Sequence, residues 1–253
     1  MGRYWKSGSC ALLALFLAVG LAAQEQQAAS LELPAIGDGD IILNYTGFTV
    51  RYNSERLIPD WVAYEITSDE AYGDVPRASG FSMDLNYSGR QAMREDYSYS
   101  GWDKGHMAPA GDMKWSEQAM WESFYLTNIC PQDHNLNAGD WHVLENYVRD
   151  WAVRYGKLYV VCGPIIHIGK YGVIGNNRVA VPDAFFKAIL RCEDGVYKSL
   201  GFVFNNDSVR QPVRNAVMSV NQVEALCGLD LFCNLPDTIE EDVETQSSFE
   251  EWK

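Results

Sequence analysis

Residues 141–155 read WHVLENYVRDWAVRY, and they form the clearest helix that the sequence predicts. Asp140 precedes it as a candidate N-cap residue. Glu145 and Arg149 lie one turn apart, so both side chains can project toward one neighbouring element. Large apolar side chains recur at helical spacing and predict a single buried stripe, made of Trp141, Leu144, Val148, Trp151 and Tyr155.

Upstream of this helix, residues 103–109 read DKGHMAP. This short loop combines a carboxylate (Asp103), a cation (Lys104) and an imidazole (His106), and Gly105 lets the backbone approach another group closely. The imidazole suits a general base because its ordinary pKa lies near neutrality. The stretch therefore indicates acid–base chemistry on a charged substrate.

Two oxygen donors flank the start of the helix and complete a candidate site. Asn137 lies just before the helix and Glu145 lies in its first turns. An amide oxygen and a carboxylate are ligands that Mg²⁺ accepts while it keeps most of its waters. Lys104, Arg77 and Arg149 are candidates to bind phosphate oxygens, and an arginine can do so in a bidentate way. The set matches the needs of phosphodiester hydrolysis.

Strands dominate the rest of the chain. The pattern from Asp40 to Thr67 alternates in successive strands, and residues 157–162, 179–181, 184–190 and 197–204 have strand composition. A last helix is predicted from Val220 to Cys227, with Ser219 and Gln222 as a capping box. Runs of strands with few helices predict an α+β fold on a mainly antiparallel sheet.

The N-terminus predicts export. Arg3 and Lys6 precede an apolar run that is too short to cross a bilayer, and small residues follow it. We therefore expect a signal peptide at residues 1–23, a secreted or periplasmic protein, and no membrane span.

The chain after residue 23 divides into three parts by its composition and hydrophobic pattern. We expect a flexible segment at 24–39, one domain at 40–236 and an acidic, solvated tail at 237–253. The whole chain carries a formal charge of −14, and loss of Arg3 and Lys6 moves it to about −16. Such a charge argues against passive coating of nucleic acid but leaves room for a local basic cleft.

Export permits disulfides. Cys227 and Cys233 flank a glycine that can turn the chain, so they are the favoured pair. Cys130, Cys162 and Cys192 lie in apolar surroundings and are interpreted as small buried residues.

Five motifs together resemble the DNA/RNA non-specific endonuclease family, the ββα-metal group that includes mitochondrial endonuclease G. The resemblance runs from about Tyr45 to Pro236 and is most specific from Gly101 to Trp151. It implies a six-stranded, mainly antiparallel sheet flanked by helices. The motifs are Asp103-Lys104-Gly105-His106, Tyr125-Leu126-Thr127-Asn128, Pro131-Gln132, Leu136-Asn137 and Trp141-x-x-Leu144-Glu145.

The resemblance assigns roles by position. His106 falls where the family has its general base, and Asn137 where it has the only direct protein ligand of a hydrated Mg²⁺ ion. Glu145 falls where an acidic residue holds the waters of the metal. Arg149 and Arg77 fall where arginines bind phosphate and stabilise its charge.

Two further positions carry less definite roles. Asn128 matches an asparagine that supports the site and is a candidate substrate-binding residue. Lys104 stands where the family usually has an arginine, which keeps the charge but loses the bidentate fork. We expect a weaker or differently oriented phosphate contact in an enzyme that is still active.

The function implied is a secreted, Mg²⁺-dependent endonuclease that cleaves DNA and RNA and leaves 5′-phosphate ends. Mn²⁺ or another divalent ion is the alternative cofactor, and the resemblance leaves a homodimer open. Other readings are an exported, non-catalytic nucleic-acid-binding module of this fold and a phosphodiesterase with a non-polymeric substrate. A serine hydrolase lacks its Gly-x-Ser-x-Gly motif. A zinc site would use His106, His134, His142 and His167 as ligands, but the sequence has no HExxH or paired-cysteine spacing to support it.

Overall fold

A computed structural model describes residues 30–253, so the predicted signal peptide at 1–23 and the first part of the segment at 24–39 lie outside the described residues. The described range contains eleven strands. In chain order they are β1 Ile41–Asn44, β2 Thr49–Asn53, β3 Ile58–Thr67, β4 Asp103–His106, β5 Ile129–Gln132, β6 Lys157–Ile165, β7 Val173–Ile174, β8 Val179–Ala180, β9 Ala184–Glu193, β10 Val196–Asn205 and β11 Val217–Met218.

Residues 30–253 also form five α-helices, and none of them is long and apolar enough to cross a membrane. The predicted long helix and the capped helix at 220–227 are both confirmed. The helices are α1 Ser68–Ala71, α2 Glu117–Glu122, α3 Trp141–Tyr155, α4 Val220–Cys227 and α5 Asp237–Val243.

The main sheet is antiparallel throughout and confirms the α+β prediction. Its order is β1-β2-β3-β6-β9-β10-β11. The described chain therefore has seven strands in this sheet rather than the expected six. The difference is the two-residue edge strand β11, which pairs Met218 with Gly201 and Val217 with Phe202.

Each face of the central strands packs against helices. Along β9, Phe185 and Ile189 face one apolar core while Phe186 and Leu190 face the other, as the two-residue period of a strand requires. Helix α3 covers the first face. The segment that includes α4 and α5 covers the second. Helix α3 is therefore held rigidly against the sheet, which fixes the side chains on its outer face.

The predicted stripe of α3 is confirmed at four of its five positions, with Tyr155 only half-buried, but the predicted cap is wrong. Trp141, Leu144, Val148 and Trp151 are buried. Asp140 makes no capping bond, because a π-helical turn at Leu136–Asp140 runs directly into the helix. Its carboxylate instead accepts hydrogen bonds from the guanidinium of Arg210 and from the backbone N–H of Gln211.

The DKGHMAP stretch begins as a strand and not as a loop. Strand β4 pairs antiparallel with β5, with Gly105 opposite Cys130 and His106 opposite Ile129. A Cβ atom on Gly105 would lie 2.2 Å from Oε1 of Gln132, so only glycine fits here. The pairing gives His106 a rigid backbone.

The acidic C-terminal segment packs against the domain, so the prediction of a solvated tail at 237–253 is wrong. Val243, Phe249 and Trp252 are buried, and the Trp252 ring lies 5.0 Å from that of Trp151. The guanidinium of Arg191 lies over the Trp252 ring. The acidic residues stay at the surface while these apolar side chains anchor the segment.

Residues 30–35 are hydrogen-bonded to the domain, in contrast to the predicted flexible segment, while residues 36–39 are exposed. The backbone N–H of Ala35 donates to the Asp230 carbonyl, and the Asn234 amide donates to the Ser30 carbonyl.

The predicted disulfide between Cys227 and Cys233 is wrong. Within residues 30–253 the five cysteines are free. The Cys227 thiol ends α4 and points toward the Glu224 carbonyl, whereas the Cys233 thiol points toward the Leu33 carbonyl.

Trp252→Ala should lower the free energy of unfolding by about 3–5 kcal/mol, because removal of a buried tryptophan leaves a cavity against Trp151 and Arg191. Urea-induced unfolding followed by circular dichroism measures the loss. Ile168→Ala, at a side chain that is 84% exposed, is the matched control and should change stability little. Equal changes in the free energy of unfolding for the two substitutions would contradict the packing of Trp252 against the domain.

Candidate active site

A cleft of about 390 Å³ lies between the end of β4 and helix α3. It brings together five of the residues that the sequence singled out, from three separate parts of the chain. They are Arg77, His106, Asn137, Glu145 and Arg149. The cleft is therefore the candidate active site.

His106 lies at the end of β4 and contributes the imidazole of the cleft. Its side chain packs against Phe81 and Phe124, with ring centroids 5.2 and 4.8 Å away. Nε2 is buried and has no hydrogen-bond partner among residues 30–253. Burial, with a smaller contribution from the positive charge of Arg77, lowers the pKa of His106 to about 3. The imidazole is thus neutral at physiological pH.

Helix α3 supplies the opposite wall through Glu145 and Arg149. Glu145 is paired with His142, whose Nδ1 lies 3.5 Å from a carboxylate oxygen. Arg149 donates to the fully buried carboxylate of Asp112. A Cβ on Gly111 would lie 2.7 Å from the Arg149 guanidinium, so the glycine lets the arginine lie flat against the backbone.

Asp112 is a member of the site that the sequence analysis missed. It is 1% exposed, and it accepts hydrogen bonds from Arg149 and from the Tyr64 hydroxyl at 2.9 Å. Burial raises the pKa of Asp112, while the charge of Arg149 opposes that shift. Asp112 therefore fixes Arg149 with its remaining N–H groups near the cleft. Its position in the conspicuous stretch after DKGHMAP was the only available signal.

Asn137 lies on the π-helical turn before α3, and Asp103 orients its amide. Nδ2 of Asn137 donates to Oδ2 of Asp103 at 3.0 Å, and Nδ1 of His134 lies 2.8 Å from the same oxygen. A carboxylate only accepts hydrogen bonds, so the amide must present its N–H₂ group to Asp103. The oxygen of Asn137 is left available as a ligand.

The donor set of the cleft fits a hydrated magnesium ion. It offers one amide oxygen from Asn137 and one carboxylate from Glu145, and a Mg²⁺ site of this kind keeps several of its waters. Across residues 30–253, no three His, Cys, Asp or Glu side chains group as metal ligands. The four-histidine zinc alternative is therefore wrong: His134 pairs with Asp103 and His142 pairs with Glu145.

Lys104 and Asn128 are placed differently from the prediction. The ammonium of Lys104 lies outside the cleft lining, over the rings of Tyr97 and Phe81 at 5.2 and 5.7 Å. Asn128 is fully buried, so it does not bind substrate. Its amide accepts from the backbone N–H of Ala108 and donates to the Ala108 carbonyl, which fixes the chain just after His106.

The arrangement of these elements defines a class. Two antiparallel strands carry the imidazole, and a helix packed on the main sheet carries the acidic residue, which is the ββα-metal fold. The family model for DNA/RNA non-specific endonucleases matches residues 26–238. The chain belongs to the DNA/RNA non-specific endonuclease family.

Relatives of known name agree with this assignment. Human mitochondrial nuclease EXOG is 37% identical over 211 residues, which are 77% of this chain and 57% of that protein. This chain thus spans little more than half the length of that relative. Nuclease C1 of Cunninghamella echinulata var. echinulata is 33% identical and covers 76% of this chain and 83% of its own length. A chain of the solved EndoG/EndoGI complex has a TM-score of 0.76 at 28% identity and covers 83% of this chain and 91% of its own.

The two histidines of the cleft should titrate in opposite directions. Burial holds the pKa of His106 far below 6.5, whereas the hydrogen bond to Glu145 raises the pKa of His142. NMR of the imidazole nitrogens in the metal-free chain should show His106 neutral at pH 5 and His142 protonated there. The His106→Ala variant identifies the resonance. Titration of His106 at or above pH 6.5 would contradict this environment.

Proposed function

We propose that this chain is a magnesium-dependent, sugar-non-specific endonuclease that hydrolyses phosphodiester bonds in DNA and RNA. The convergence of Arg77, His106, Asn137, Glu145 and Arg149 on one cleft is the observation that carries the proposal. Membership of the endonuclease family supports it. Export of the mature chain, as the N-terminal sequence predicts, is part of the same proposal.

The side chains divide the reaction between them. Neutral His106 accepts the proton of the attacking water, because an unprotonated imidazole carries a nitrogen lone pair that can take it. Arg149, fixed by Asp112, and Arg77 bind the phosphate oxygens and offset the charge that develops on them. The scissile phosphate therefore lies between the strand wall and the helix wall.

The metal would be held on the helix side. Asn137 would bind it directly and Glu145 through its waters, with Mn²⁺ or another divalent ion as a substitute. When bound, a divalent cation supplies electrostatic stabilisation of the leaving 3′ oxygen. Because the Asn137 N–H₂ group donates to Asp103, the amide oxygen of Asn137 points away from that carboxylate and is free to bind the metal.

Recognition by this cleft would depend on the nucleic-acid backbone. Its polar lining consists of cations, an amide, a carboxylate and imidazoles, which suit phosphate rather than base edges. Both DNA and RNA are therefore expected substrates.

Incubation of the purified chain with plasmid DNA and with RNA tests the proposal. We expect both to be cut with Mg²⁺ and neither with chelator, and the products should carry 5′-phosphates that polynucleotide kinase labels only after phosphatase treatment. His106→Ala, purified identically, controls for contaminating nuclease. Intact substrate in both Mg²⁺ reactions would contradict the proposal: binding without cleavage would indicate a binding module. Cleavage of bis-p-nitrophenyl phosphate alone would indicate a non-polymeric substrate.

A further inference from the structure

A second cleft, of about 410 Å³, opens beside the active-site cleft and is lined mostly by apolar side chains. We call it the aromatic groove and define it by Phe81, Met83, Leu85, Met93, Trp121 and Tyr125. Leu85 is 91% exposed, Trp121 50% and Met93 42%. Large apolar side chains that face water around one groove mark a binding surface rather than a packing defect.

The aromatic groove adjoins the active-site cleft at Phe81. Phe81 lines the groove, and its ring centroid lies 5.2 Å from that of His106. Phe81 therefore links the lining of the groove to the imidazole of the active-site cleft. A polymer whose phosphate lies beside His106 reaches the groove with its next residues.

Positive charge accompanies the groove in a chain that is strongly acidic overall. Arg94 lines it together with the carboxylate of Glu95, and the ammonium of Lys104 lies over the rings of Phe81 and Tyr97 at its edge. Burial and the nearby charge of Arg94 together lower the pKa of Lys104. Arg94 and Lys104 thus place two cations at the groove against the one carboxylate that lines it, in a chain of formal charge −14, and this favours an anionic ligand.

We propose that the aromatic groove binds unpaired bases of a single-stranded stretch of the nucleic acid, next to the phosphate in the active-site cleft. The inference rests on the proposed function. Bases stack on Trp121, the half-exposed aromatic ring of the groove, while Lys104 and Arg94 bind the neighbouring phosphates. Aromatic platforms beside cations bind single strands in this sequence-tolerant way, whereas paired bases in a duplex are not free to stack.

Binding in chelator tests the groove without cleavage. Fluorescence anisotropy measures the affinity of the whole chain for an oligothymidylate of about 12 nucleotides, an abasic strand of equal length and a duplex. Trp121→Ala should weaken oligothymidylate binding by about 5- to 100-fold, since each stacked base contributes a factor of this size. Abasic-strand and duplex binding should change less than twofold. Lys104→Ala should weaken binding to both single strands.

Trp115→Ala is the matched control, because Trp115 is 37% exposed and lines a different cleft. It should leave all three affinities unchanged. Equal losses from Trp115→Ala and Trp121→Ala, or an equal loss on the abasic strand, would overturn the proposal. The proposal would also be overturned if Trp121→Ala bound oligothymidylate as the parent chain does but had an altered sedimentation coefficient. That result would assign the groove to a second copy of the chain.

The two proposals fail separately. A chain that binds oligothymidylate through Trp121 but cuts neither DNA nor RNA contradicts the nuclease proposal and leaves the groove intact. If the chain cuts both DNA and RNA but Trp121→Ala does not change its affinity for oligothymidylate, only the groove proposal is contradicted.

Discussion

His106→Ala should lower the nuclease rate by about 10²–10⁴-fold, the usual contribution of a general base. The reason is local: His106 lies in the cleft with a neutral imidazole, and alanine offers no group to accept a proton. Initial rates of plasmid cleavage at saturating Mg²⁺ measure the effect.

Two controls separate chemistry from folding. His167→Ala removes an exposed imidazole outside the cleft and should cut at the parent rate. Thermal unfolding of His106→Ala should remain cooperative. Nε2 of His106 has no hydrogen-bond partner within residues 30–253, so its loss breaks no such bond, and the aromatic neighbours of the ring stay in place. A folded His106→Ala chain that cuts at the parent rate would exclude His106 as the base.

Arg149→Ala should affect both stability and activity. Removal of the guanidinium leaves the fully buried carboxylate of Asp112 without its cation, and breaking such a pair costs about 3–5 kcal/mol. Loss of the phosphate contact should also remove most of the nuclease rate. Chemical unfolding and cleavage assays on the same preparation measure the two effects.

A double variant distinguishes the two roles of Arg149. Asp112→Asn in the Arg149→Ala background removes the unpaired charge, and its amide oxygen can still accept from the Tyr64 hydroxyl. Stability should largely return while activity stays low. Arg154→Ala, at an exposed arginine on the same helix, is the matched control and should change neither. Recovery of activity in the double variant would show that Arg149 acts only on folding.

The residues of the candidate cleft could be predicted because their chemical types and local spacing are unusual. The expected set includes Arg77, His106, Asn137, Glu145 and Arg149, and the structure brings all five together. Roles that depend on contacts could not be assigned in this way. Lys104 occupies the motif position of a phosphate ligand, but the rings of Phe81 and Tyr97 draw its ammonium to the edge of the groove.

The errors in the fold prediction have a common cause. Asp103–His106 was expected to be a loop because its polar residues and glycine have weak strand propensity, and pairing with β5 overrides that preference. The segment at 237–253 was expected to be solvated because acidic residues outnumber apolar ones. Phe249 and Trp252 nevertheless find a buried site beside Trp151, which lies about a hundred positions earlier in the chain.

Sequence alone determined the properties that depend on near neighbours: the buried stripe of α3, the capping box of α4 and the residue types of the active site. These follow from propensity and periodicity within a few residues. The tertiary structure decided which distant groups meet. Asp103 orients Asn137 across 34 positions and Asp112 holds Arg149 across 37. Such contacts arise because the sheet and α3 pack around one core, and no local pattern encodes them.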